Sequence, residues 1–193
     1  MKLSSVISKQ HVRGTRVTPK MKDDAIRLLK LMGFPVLEAQ SEAEAQCVQL
    51  LKEGKIHAVV SDDMDCLTFG CELLIKGVRT KNDPISEVNL SVALEGLGLS
   101  FEEFVDFCIL CGCDYCDSIE NMGPVKAFTF IKEHKTIERV LEVIDEENKV
   151  HQAEKNRLKY ILPSAANFDY VTARSLFKNP DVFHNVKDVR LQA

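Results

Sequence analysis

The sequence predicts an α/β protein: a partial parallel sheet with flanking helices, followed by a helical region. Three observations carry this. From residue 18 to about 90, helical apolar spacing alternates with short apolar runs bounded by polar turns, the pattern of a parallel sheet wrapped by helices. From about 90 onward only helical spacing recurs. The 193 residues, 45% hydrophobic and 28% charged, are an ordinary globular mix, enough for one domain or one domain with a small appendage.

The elements follow in order. Residues 1–17 read as an irregular arm. Up to Lys22 the charges are Lys2, Lys9, Arg13, Arg16, Lys20 and Lys22, with no acid. Such an arm can follow a phosphate backbone or simply be a solvated tail. Thr18-Pro19 reads as N-cap and first helical position. Ala25, Leu28, Leu29 and Met32 keep helical spacing, and Gly33 stops the helix. Phe34–Leu37 reads as a short strand, Ser41–Leu51 as a second helix, His57–Ser61 as a strand, and Leu73–Ile75 as part of another. Beyond residue 90, helices are expected over Phe101–Cys111, Val125–Lys132, Ile137–Ile144, 154–161 and Asp169–Phe177. There is no internal repeat and no low-complexity tract.

Composition excludes some classes. No apolar run approaches the ~18 residues of a membrane span. The start lacks the features of a secretory signal, so an intracellular protein is expected. The seven cysteines are an odd number without the spread of a disulfide framework, and free thiols are expected. A net charge of -4 argues mildly against nucleic acid; the basic arm argues for it.

Carboxylates carry the strongest chemical signal. Ser41 and Glu44 have the spacing of a capping box, and so do Ser100 and Glu103. Glu42 joins Glu44 at a helix mouth directly after a predicted strand, the rim where open α/β sheets bind ligands. Asp63 and Asp65 follow the strand His57–Ser61. If the backbone stays extended, both face one side. Two such acids suit a hard divalent cation such as Mg²⁺, which takes oxygen ligands and keeps several waters. The alternative is a polar turn in which Asp63 caps the next helix. Asp114, after Gly112, is equally at home in a turn.

Residues 118–127, SIENMGPVKA, lie between two predicted helices. Gly123 permits a tight turn and Pro124 opens the next helix. Backbone N–H groups at such a helix start can bind phosphate without reading bases, and Lys126 can reach a phosphate. A plain helical hairpin is the alternative. Cys108, Cys111, Cys113 and Cys116 fall within nine residues and could close a thiolate zinc site. Cysteine on an apolar helix face is otherwise a small buried hydrophobe.

Three stretches, LMGFPVLEAQSEAEAQC (31–47), VVSDDMDCLTFG (59–70) and FCILCGCDYCDSIENMGPVKA (107–127), closely resemble the flap endonucleases of the XPG family of structure-specific 5′ nucleases. The resemblance runs from about Met21 to Asn179. It implies a PIN-like 5′ nuclease core followed by a helix–two-turn–helix DNA-binding region. The regions would be a basic arm (1–20), an internal nuclease region (21–90), the helix–two-turn–helix region (91–145) and a C-terminal helical segment (146–193).

The implied activity is Mg²⁺-dependent 5′ flap endonuclease and 5′–3′ exonuclease cleavage of DNA phosphodiesters in replication and repair. Glu42, Glu44, Asp63, Asp65 and Asp114 match the family's catalytic, metal-linked acids. Ser118, Ile119, Asn121, Gly123 and Lys126 match its DNA-gripping turn, where turn carbonyls often hold K⁺. Two Mg²⁺ ions about 4 Å apart are implied, with Mn²⁺ able to substitute. So are a branched duplex carrying a 5′ flap, a sliding-clamp partner, no membrane, and a nuclear location with a mitochondrial copy conceivable. The family's N-terminal nuclease region, with two further aspartates, has no match within this chain, nor does a clamp-binding tail. The glycine pattern of the turn is Asn121-Met122-Gly123-Pro124 here, and Glu120 and Val125 replace basic residues. These departures leave a second expectation open, a catalytically silent DNA-binding or partner-binding remnant.

Overall fold

The computed structural model describes residues 17–78, 84–155 and 157–187. The chain forms two compact units, Met1–Glu38 with Val186–Ala193, and Ala39–Asn185. Most of the basic arm lies outside the described residues.

In the first unit, helix α1 spans Pro19–Leu31. Its start is the predicted one: Thr18 is the N-cap, its hydroxyl accepts the Met21 N–H at 3.2 Å, and Pro19 occupies the first turn. Gly33 has φ +79° just past the helix, where a side chain would be strained. No α1 residue is buried. The strand expected over Phe34–Leu37 does not form. The Phe34 N–H is spent on the Leu29 carbonyl at 3.0 Å, and Pro35 has no N–H to offer a ladder.

The second unit contains α2 (Ala43–Lys52), β1 (Val59–Val60), α3 (Asp65–Thr68), β2 (Leu73–Lys76), β3 (Ser86–Asn89), α4 (Leu90–Leu97), α5 (Phe101–Cys111), α6 (Pro124–His134), α7 (Ile137–Lys155) and α8 (Tyr170–Lys178). The sheet order is β1-β2-β3. β1 and β2 are parallel, with Val59 opposite Leu74. β2 and β3 are antiparallel, with Leu74 opposite Val88. The sheet is therefore mixed, not wholly parallel. β3 escaped the sequence reading because Ser86-Glu87-Val88-Asn89 offers one apolar side chain and lies mostly exposed. The strand expected at His57–Ser61 is only two residues long, although the Ser61 N–H still reaches the Ile75 carbonyl at 3.1 Å.

Beyond residue 90 the described residues hold helices and isolated bridges only. α5 begins with the predicted capping box: Ser100 Oγ accepts the Glu103 N–H, and Glu103 accepts the Ser100 N–H at 2.8 Å. The separate helices expected at 137–144 and 154–161 are instead one 19-residue helix, α7, ending at Lys155. The chain then turns back and is held by Asn148, which is buried in α7. Its Oδ1 accepts the N–H groups of Lys159 and Tyr160, both at 2.9 Å, and its Nδ2 donates to the Tyr160 carbonyl at 2.8 Å. Backbone bonded to a side chain in this way cannot continue a helical ladder.

The core runs from Cys66, Cys71 and Leu74 through Val105, Ile109 and Leu110 to Ile131, Ile137, Val140, Ile144 and Phe177. Phe177 of α8 meets Phe69 at a ring separation of 5.2 Å and Tyr115 at 4.9 Å. That packing ties the last helix to the C-terminal end of α3, which Phe69 caps, and to the loop after α5. No described helix is long and apolar enough to cross a membrane.

Candidate active site

Three elements bring carboxylates together. α2 is anchored by buried Ala45, Gln46, Val48 and Leu50, which leaves its N-terminus at the rim. Glu42 is the N-cap, in extended geometry and with no side-chain cap bond, and Glu44 sits in the first turn. The capping box expected from Ser41 and Glu44 is therefore absent. The helix starts one residue later, and both glutamates are free of capping duty beside a helix start that favours negative charge.

The second element is the turn between β1 and α3. Its backbone is not extended, contrary to the simplest expectation. Ser61 Oγ accepts the Asp63 N–H at 3.1 Å, and Asp63 Oδ1 accepts the Asp65 N–H at 3.0 Å. The polar turn of the alternative reading is thus present, but the N-cap of α3 is Met64, with no side-chain cap bond, rather than Asp63. Asp62, which spacing did not single out, accepts the Gly77 N–H at 3.0 Å and ties the turn to the end of β2. Asp65 opens α3 and is half-buried.

The third element is the loop after α5, with Gly112 at φ +111° and Asp114 exposed beside half-buried Tyr115. These elements converge on Asp65. Its carboxyl is pushed above the ordinary aspartate range by burial, then by Asp63, Asp114, Glu44 and Glu42 in that order. All five predicted acids therefore share one field, the other four each raising Asp65. The Tyr115 hydroxyl is pushed up to about 12, by burial first and then by Glu42 and Asp65. Tyr115 is a site-lining residue that the sequence reading missed; its only signal was its place beside Asp114.

Among the described residues, no three His, Cys, Asp or Glu side chains stand close enough to ligate one ion. The acids lie within Coulombic reach of each other but not at coordination distance. Their chemistry still suits a hydrated hard cation, since all five offer oxygen and Mg²⁺ keeps several waters. A thiolate zinc site was one of two readings of Cys108, Cys111, Cys113 and Cys116, and among the described residues no three of them stand at ligating distance either. Cys108 is pushed up to about 12 by burial, the behaviour of a thiol in the core.

The predicted phosphate-binding turn forms between α5 and α6. Asn121 takes φ +67°, the left-handed geometry that asparagine tolerates. Gly123 caps α6 with Pro124 in the first turn. Ser118, Asn121, Gly123 and Lys126 are exposed, whereas Ile119 is buried and offers only backbone to a ligand. The Lys126 ammonium donates to the Asn121 carbonyl at 2.8 Å and lies 5.1 Å from the Tyr160 ring centre. The Glu120 N–H reaches the Ile161 carbonyl at 2.9 Å, so the segment after α7 braces the turn.

The chain thus combines a mixed α/β core whose rim gathers carboxylates with a helical region that carries an exposed glycine–proline turn. Residues 33–114 match the XPG I-region. The chain is 51% identical over 174 residues to flap endonuclease 1 of Tetrahymena thermophila, covering 90% of this chain and 44% of that relative. Its similarity to flap endonuclease 1 relatives, at 41–51% identity, runs along most of the chain. It spans less than half the length of the curated relatives it matches.

Solved structures agree. Flap endonuclease-1 from Methanococcus jannaschii superposes with a TM-score of 0.73 at 26% identity, over 99% of this chain and 54% of that one. The Holliday junction-resolving enzyme GEN1, in complex with product DNA and Mg²⁺, superposes at 0.62 with 25% identity, over 89% and 44%. A eukaryotic GEN-1 binding potassium superposes at 0.64 with 25% identity, over 87% and 46%.

Proposed function

We propose that this chain is the acid-bearing and duplex-gripping part of a Mg²⁺-dependent 5′ flap endonuclease. It would act on branched DNA in nuclear replication and repair, with a sliding clamp as partner. The observation that carries the reading is Asp65, half-buried and with its carboxyl pushed up by four neighbouring carboxylates. Such crowding is costly unless a cation shares the site.

Glu42, Glu44, Asp63, Asp65 and Asp114 would hold the Mg²⁺. When bound, divalent ions in such a site activate water and stabilise the leaving oxygen of a phosphodiester. The chain's own residues do the rest. Asp63 fixes the backbone of Asp65 through its 3.0 Å bond. The α2 start aims Glu42 and Glu44 at the same field. The first backbone N–H groups of α6, on the exposed Val125 and Lys126 because Pro124 has none, can take a duplex phosphate. Lys126 supplies the positive charge, and the carbonyls of the turn are where K⁺ would sit.

The test is cleavage of a 5′-labelled flap duplex in Mg²⁺ beside an Asp65→Ala chain prepared identically. Cleavage lost in the variant supports the enzyme. A second reading, a silent DNA-binding remnant, is favoured by the lack, among the described residues, of any three acids at coordination distance. Duplex binding without cleavage by either chain would select it.

A further inference from the structure

Four cysteines cluster in sequence, but the structure pairs two of them. Cys113 Sγ and Cys116 Sγ face each other at 3.8 Å. Their residues also form an isolated antiparallel bridge, Cys113 opposite Cys116, around the two-residue loop Asp114-Tyr115. Antiparallel partners have Cα atoms about 4.5–5.5 Å apart, within the range that a disulfide spans. Both residues are half-buried, whereas Cys66 and Cys71 are buried. Cys47, Cys108 and Cys111 are half-buried as well, and burial pushes the Cys116 thiol up to about 12 as it does Cys108, so the sulfur–sulfur contact is what distinguishes the pair. No zinc-type cluster competes for the pair among the described residues.

We propose that Cys113 and Cys116 form a reactive dithiol, a modification site for low-molecular-weight disulfides that converts reversibly to an intramolecular disulfide. One cysteine sulfur attacks the disulfide of oxidised glutathione, forming a mixed disulfide and releasing one glutathione thiol. The second cysteine sulfur attacks the mixed disulfide at the protein-side sulfur. The Cys113–Cys116 bond forms and the second glutathione leaves. Two electrons pass from the cysteines to glutathione disulfide, and the two thiol protons end on the two glutathione thiols.

Pre-positioning favours the second step. The resolving sulfur is already in contact, so ring closure outpaces attack by a second glutathione. The bond shortens the sulfur separation to about 2.05 Å and draws in both ends of the loop that holds Asp114. The redox state of the pair is thereby linked to the geometry of one acid in the candidate site.

The chain would be incubated folded with oxidised glutathione, alkylated with iodoacetamide under denaturing conditions, and mapped by peptide mass spectrometry. The expected result is loss of two hydrogens from the peptide holding Cys113 and Cys116. Alkylation of both should be lost, then restored by dithiothreitol. Cys116→Ser should leave Cys113 carrying one glutathione. If that variant does not fold, Cys113→Ser reports the same through glutathione on Cys116. Two glutathiones on the wild-type pair, both thiols still alkylated at full exposure to the reagent, or a bond from either cysteine to Cys111 would each overturn the proposal.

Discussion

Arg174 grips Asp106 with both arms of its guanidinium: Nε donates to Oδ1 at 2.6 Å and a terminal nitrogen donates to Oδ2 at 2.8 Å. Asp106 lies on α5, 4% exposed, and also accepts the Ile137 N–H that opens α7 at 3.1 Å. Arg174 lies on α8 and extends its remaining donors to Glu138 on α7. One buried carboxylate therefore joins three helices, and α8 in turn presses Phe177 against Phe69 at the end of α3 and Tyr115 beside Asp114.

Arg174→Met should destabilise the chain by about 3 kcal/mol, because a buried carboxylate is left without its cation. Urea unfolding checks this. A loss near that of an exposed ion pair, below about 1 kcal/mol, would show that Ile137 and solvent suffice for Asp106.

Glu138 makes stability depend on pH on the acid side. The Arg174 hydrogen bond holds its carboxyl below the usual glutamate range. The unfolded value is about 4.3, so this contribution is complete above that pH and is lost as pH falls through the lower folded value. Half of the side chain faces solvent, which limits the effect. Glu138→Gln should flatten the acid limb of a plot of Tm against pH and leave the slope above pH ~6 unchanged.

Two serines with the same spacing to a glutamate behave differently. Ser100 completes a capping box, whereas Ser41 precedes a helix whose N-cap is Glu42, with no side-chain cap bond. Ser100→Ala should cost about 1 kcal/mol and Ser41→Ala close to nothing. Equal losses in thermal unfolding of the two variants would contradict the difference in helix starts.

That contrast shows what the sequence made legible. Caps and breakers that act within four residues were readable: Thr18-Pro19, Ser100 with Glu103, Asp169 at the start of α8, Gly123-Pro124. Features set by distant partners were not. The Phe34 N–H is claimed by Leu29, β3 exists because Leu74 lies opposite Val88, and α7 ends where Asn148 holds a returning segment. Glu42, Glu44, Asp63 and Asp65 were picked out by type and spacing and Asp114 only through the resemblance to the flap endonucleases; the other four each raise Asp65. The extended backbone assumed for Asp63 and Asp65 was wrong, because spacing does not reveal that Ser61 and Asp63 build a turn.

Asn148 offers a test of the returning segment. Asn148→Ala would leave the Lys159 and Tyr160 N–H groups and the Tyr160 carbonyl unpaired, with Tyr160 2% exposed. The expected loss is about 2 kcal/mol or more. Amide hydrogen exchange should rise at Tyr160 and at Glu120, whose N–H is held by Ile161. Faster exchange confined to α7 would mean that the turn before α6 stands without this brace.

Asp65→Asn should change stability in opposite directions with and without metal. In EDTA the wild-type carboxylate is half-buried, and four other acids raise its cost. The amide keeps the shape and removes the charge, and the Asp63 bond to the residue 65 N–H is untouched. The metal-free variant should therefore be more stable by on the order of 1 kcal/mol. With Mg²⁺ present, the wild-type chain gains stability in proportion to metal bound to the folded state, and the variant has lost an oxygen anion from the centre of the donor set. Its Tm should rise less on addition of Mg²⁺, so the two melting curves approach or cross as the ion is titrated. A variant less stable than wild type in EDTA would show that the Asp65 carboxylate supports the fold through bonds of its own. A parallel rise in both chains would place the bound ion away from Asp65.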